Sequence, residues 1–67
     1  MYKKLKELRK KKKYTMLQMA DMLGISKSFY SQIEYGNRTL TYKMACKISH
    51  IFNRKPDYIF YEDTNNE

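Results

Sequence analysis

Apolar residues recur along the chain at helical intervals, in segments separated by short polar breaks. In the first segment, residues 2–12, Leu5 and Leu8 face one way and cations fill the remaining positions. A second helix is predicted over 16–23, with Met19, Ala20 and Leu23 inward, and a third over 27–35, with Tyr30 and Ile33 inward. A fourth over 42–52 presents Ala45, Ile48, Ser49 and Phe52, and a short fifth starts at Pro56 and runs to 61.

The breaks carry matching signals. Thr15 with Gln18 three residues on is a capping-box pair, and Ser26 and Thr41 are good N-caps for the next helices. Gly24 and Gly36 end the second and third helices, and Asn53 can take the left-handed terminus of the fourth. Ile25 plugs the tight turn between helices two and three. The expected fold is therefore all-α: one compact five-helix domain over 1–61 and a short frayed tail over 62–67. Two Gly and one Pro agree, since a many-stranded sheet would need more turn residues.

Charge narrows the partner. Fourteen Lys and Arg stand against seven Asp and Glu, for a net +7, and eight of the fourteen lie within residues 1–13. That asymmetry points to a polyanion, because neutralised phosphates release counterions. Taken alone, the Lys run at 10–13 is more simply read as a solvated helix face, and consecutive helical residues cannot all reach one partner. A single Cys46 permits neither an internal disulfide nor a Cys-based metal site, which suits a reducing compartment. The apolar stretch at residues 58–61 is too short to span a bilayer, and a charged N-terminus is unlike a secretion signal. The expected location is cytoplasmic.

The decisive pattern is helix, one tight turn, helix over residues 16–35, with small Ala20 where two steeply crossing helices would touch. Met19-Ala20 with Leu23-Gly24-Ile25-Ser26, Ile33-Glu34-Tyr35-Gly36, Leu5 to Arg9, and Asp57-Tyr58-Ile59-Phe60 stand in an order and spacing that resemble the XRE family. These are the Cro/C1-type, lambda-repressor-like helix-turn-helix domains of phage repressors and bacterial regulators. The resemblance covers about residues 5–60.

The resemblance implies a structural ion pair between Arg9 and Glu34, and base reading by Lys27, Ser28, Phe29, Ser31 and Gln32. The chemistry of these side chains fits: Gln32 can pair bidentately with adenine, Lys27 can reach guanine acceptors or phosphate, and Phe29 can pack on thymine methyls. Phe29 is read as an outward aromatic, either a base-reading wedge or a patch for a partner, because Tyr30 and Ile33 already define the inward stripe. Phosphate contacts are expected from Asn37, Arg38, Tyr42 and Lys43, from the helix starts at Thr15 and Ser26 (Ser26 chiefly a cap), and from Lys12 in the basic run.

Three departures from the family pattern stand out. Met16 replaces a common backbone-contacting Gln, Tyr30 replaces an aliphatic residue so that its hydroxyl needs a partner, and Leu17 and Met22 sit where charges are usual. Met16, Leu17 and Met22 together are a candidate contact surface.

The expected function is a sequence-specific double-stranded DNA-binding regulator, a repressor by default because occupying a promoter suffices. A homodimer on a pseudopalindromic operator would set two reading helices ~34 Å apart. Tyr58, Phe60 and Tyr61 are the expected dimer contacts, no separate oligomerisation domain being expected. No cofactor, metal, membrane or small-molecule effector is expected. An enzyme is not expected either: Cys46 and His50 share a helical face but lack an orienting third group, and no Gly-rich phosphate loop exists. The rival reading is an antitoxin or anti-regulator that binds a protein through the second helix. Basic adhesion to RNA or membrane would account for the Lys run but not for the helix-turn-helix spacing.

Overall fold

The computed structural model describes residues 1–61, and the tail expected over 62–67 lies outside them. Four α-helices follow in order: α1 Lys3–Lys11, α2 Met16–Leu23, α3 Lys27–Glu34 and α4 Tyr42–Ile51. A single π-helical turn, Asp57–Tyr61, follows them, and no strand occurs among the described residues.

Local chemistry fixes the helix starts. Thr15 Oγ1 accepts from the Gln18 backbone N–H at 3.0 Å, while Gln18 Oε1 accepts from the Thr15 N–H at 2.8 Å, completing the capping box. Ser26 Oγ accepts from the Phe29 N–H at 3.0 Å and Thr41 Oγ1 from the Met44 N–H at 3.1 Å. Each such cap is worth ~1 kcal/mol. Gly24 ends α2 at φ +71°, and a Cβ there would meet nothing within 4 Å, so its backbone conformation alone calls for glycine. Gly36 adds a close approach to its φ of +77°: a Cβ would lie 3.2 Å from the Met1 backbone nitrogen.

One stripe from each helix makes the core. Leu5, Met19, Ala20, Leu23, Tyr30, Ile33, Ala45, Ile48 and Phe52 are buried together with Ile59 and Phe60, so the inward residues expected from periodicity are inside, Leu8 being half-buried at the edge. Ser49 is buried too, its hydroxyl donating to the Ala45 carbonyl at 2.6 Å.

Several expectations need correcting. The third and fourth helices end one residue early, with Tyr35 and Phe52 as C-caps. α1 ends through Lys13 at φ +61°, an unbranched non-glycine residue held by N–H bonds from Lys13 to Lys10 and from Tyr14 to Arg9. The fifth element is a wider π turn in which adjacent Ile59 and Phe60 both bury. Phe60 is only 7% exposed and meets the Tyr2 ring edge-on at 4.9 Å, so it belongs to the core and cannot serve as a dimer contact. Tyr58 and Tyr61, 39% and 36% exposed, remain at the surface.

Candidate nucleic-acid interface

α3 carries two unlike faces. Inward, Tyr30, Ile33 and Glu34 are buried; outward, Lys27, Ser28, Ser31 and Gln32 line one shallow open depression. Four of the five base-reading candidates therefore come together.

The inward face is locked to α1 by a buried network. Arg9 donates from Nε to Glu34 Oε1 at 2.9 Å and from Nη2 to Oε2 at 3.1 Å, a bidentate pair, while Nη1 donates to the Tyr14 carbonyl at 3.0 Å. The Tyr30 hydroxyl donates to Glu34 Oε1 at 2.9 Å, which is the partner that hydroxyl needed. Glu34 is 0% exposed, and no buried side-chain polar atom among the described residues lacks a partner. The hydrogen bond to Glu34 raises the Arg9 pKa above its ordinary value. Burial, with the nearby Glu34 charge, drives the Tyr30 phenol well above its own. A further bond, from the Tyr2 N–H to the Glu34 carbonyl at 3.0 Å, ties the chain start to the end of α3. The network fixes the pitch of α3 against the body of the domain.

On the outward side the loop after Gly36 folds back. The Asn37 N–H donates to the Gln32 carbonyl at 2.8 Å, and Arg38 Nε donates to Gln32 Oε1 at 3.0 Å. The Arg38 guanidinium lies 4.2 Å from the centroid of the Phe29 ring. Phe29 is half-buried and packs on the core, which corrects the expectation of an outward wedge: its ring gains apolar contact beneath while Arg38 covers it. The contacts of Arg38 with Gln32 and Phe29 are not visible in the sequence pattern, since the residues it joins are six and nine positions away across a turn.

The other expected contacts are more dispersed. Thr15 and Ser26 cap α2 and α3 and are exposed at those starts, as are Asn37 and Lys43 in their own places. Tyr42 is exposed at the first position of α4; its hydrogen bond with Cys46 raises the phenol pKa above its ordinary value. Lys12 lines a different cleft, with Leu8, Lys11, Phe52, Asn53 and Arg54, and shares no residue with the depression on α3. Between Ser26 and Lys43 the one acid is the fully buried Glu34, so this stretch of chain has no exposed carboxylate of its own.

Elsewhere, Tyr58 is flanked by cations, with Lys4 Nζ at 4.4 Å and the Arg54 guanidinium at 5.9 Å from its ring centroid. Leu17 and Met22 of α2 are exposed, while Met16 packs against the core. Half-buried Cys46 and exposed His50 line an apolar groove with Met22, Leu23, Lys47 and Ile51. No trio of His, Cys, Asp or Glu among the described residues is placed to hold a metal. No helix among them is long and apolar enough to cross a membrane.

Residues 2–61 match a family model described as a helix-turn-helix domain. The chain is 41% identical over 61 residues to the uncharacterized HTH-type transcriptional regulator YqaE of Bacillus subtilis (strain 168). That alignment covers 91% of this chain and 53% of the relative, so the chain spans about half the length of the curated relative it matches. No solved structure matches it significantly. The family match runs from the strand of chain before α1 to the last residue of the π turn, and its centre is the capped, glycine-turned α2–α3 pair. The chain belongs to the XRE-type helix-turn-helix family.

Proposed function

We propose that this domain binds double-stranded DNA sequence-specifically, as the reading element of a transcriptional regulator in the cytoplasm. α3 enters the major groove, where Lys27, Ser28, Ser31 and Gln32 meet base edges. Thr15, Ser26, Asn37, Tyr42, Lys43 and Lys12 contact or attract phosphate, together with the backbone N–H groups that start α2 and α4. The observation that carries this reading is the outward face of α3, four short or donor-bearing polar side chains in one depression with no acid among them. The relative's name, a transcriptional regulator, supports it.

Repression is the simpler action, since blocking a promoter needs binding alone. A homodimer on a pseudopalindromic operator, joined through Tyr58 and Tyr61, would place two copies of α3 one helical turn of DNA apart. Sedimentation that stays monomeric at millimolar protein with operator present would remove the dimer from the account. Reading bases this way requires no cofactor and no small-molecule effector.

A selection from random duplex DNA, followed by anisotropy titrations across a salt series, tests the proposal. A specific site is expected to emerge, with Gln32→Ala relaxing one base position and Lys12→Ala only reducing the salt slope by about one. If no sequence is enriched and both variants lose affinity alike, the charge is merely adhesive. The second reading, a protein-binding antitoxin or anti-regulator, would then gain, and exposed Leu17 and Met22 favour it.

A further inference from the structure

An isolated Gln side chain reads adenine through both ends of its amide, the oxygen accepting from N6–H and the nitrogen donating to N7. In this protein the oxygen end is already engaged. Arg Nε–H can only donate, so the Gln32 atom 3.0 Å away must be the carbonyl Oε1, and chemistry alone settles the orientation of the amide. Arg38 is itself held from a second direction by the Phe29 ring at 4.2 Å, and Phe29 is rooted in the core. The loop backbone adds a third tie, the Asn37 N–H bonded to the carbonyl of the same Gln32.

We infer that Arg38 is a positioning residue that turns Gln32 from an adenine reader into part of a donor-only head suited to guanine. The inference rests on the DNA-reading function proposed above. Gln32 Nε2 keeps two N–H donors, and Arg38, bonded to the same amide through Nε alone, keeps its remaining guanidinium N–H groups for other acceptors. Guanine offers two adjacent major-groove acceptors, N7 and O6, whereas adenine sets the N6–H₂ donor beside its N7. Oε1 retains a second lone pair, but an adenine amino group approaching it would bring its donor hydrogens against the guanidinium cation. Thymine O4 gives only one acceptor to a head that carries several donors.

The test is selection from random duplex DNA with the wild type, Gln32→Ala and Arg38→Ala, each first shown to keep its fold by thermal unfolding. Gln32→Ala identifies the base position by flattening it. The wild type is expected to select guanine at that position. Arg38→Ala is expected to shift the same position toward adenine by roughly tenfold while leaving other positions unchanged. A wild type that selects adenine there, or an Arg38→Ala that weakens every sequence equally, would overturn the inference and leave Arg38 a phosphate contact. A wild type that enriches no sequence overturns the DNA-reading proposal, and this inference with it. In the free protein, the Arg38 Nε–H should exchange with solvent faster in Gln32→Ala than in the wild type; equal exchange in the two would also overturn the clamp.

Discussion

Two arginines tie α3 to the rest of the domain, and their surroundings give them different work. Arg9 makes a bidentate pair with fully buried Glu34 on the inward face, and Arg38 makes one bond to exposed Gln32 on the outward face. A pair removed from water leaves an uncompensated charge when one partner is lost, so Arg9 and Glu34 matter first to stability. An exposed pair can hydrate either partner at little cost, so Arg38 matters to what the face presents. One helix thus has its mounting and its proposed reading surface on opposite sides.

The largest expected effect breaks the inward side. Glu34→Ala should lose ~3–5 kcal/mol in urea unfolding, much of the stability of a domain this small. Replacing both partners by apolar residues, Arg9→Met with Glu34→Leu, should cost clearly less than the single change. A double variant as unstable as Glu34→Ala would mean that the pair contributes something packing cannot replace.

Tyr30→Phe is next, at ~1 kcal/mol, because Glu34 keeps its Arg9 bonds and loses one donor. This contribution depends on pH. The folded-state phenol keeps its proton above its ordinary value of 10.0, while an unfolded one loses it there. The stability difference between wild type and Tyr30→Phe should therefore be full below pH 10.0 and narrow as pH rises beyond it. A constant difference through that range would separate the hydroxyl from the network.

The smallest stability effect belongs to the outward side. Arg38→Ala should change unfolding by less than about 1 kcal/mol. A loss as large as that of Glu34→Ala would erase the distinction between the two arginines.

Much of this arrangement is legible in the sequence where the responsible interaction is local. Thr15, Ser26 and Thr41 cap the helices they precede because an N-cap and its partner are three residues apart. The buried stripes follow from spacing alone, and Arg9 with Glu34 follows from the family resemblance. The need for a partner at the Tyr30 hydroxyl was readable, and the partner lies one turn further along the same helix. What spacing could not give depends on the chain returning on itself. Phe60 looks like a surface aromatic in a short terminal segment until Tyr2 folds across it. Phe29 looks outward until the core edge and Arg38 enclose it. Lys13 carries no mark of the left-handed conformation that the turn into α2 imposes on it.

If stability and the proposed sequence reading sit on separate faces of α3, one variant on the outward face should alter the second without the first. For Gln32→Ala, thermal unfolding would be measured beside the ratio of affinities for the selected site and for random duplex DNA. The expected result is a midpoint shift below about 4 °C, equivalent to less than ~1 kcal/mol, with at least a roughly tenfold fall in the ratio. An unchanged ratio, or a fall in binding that merely follows lost stability, would contradict it.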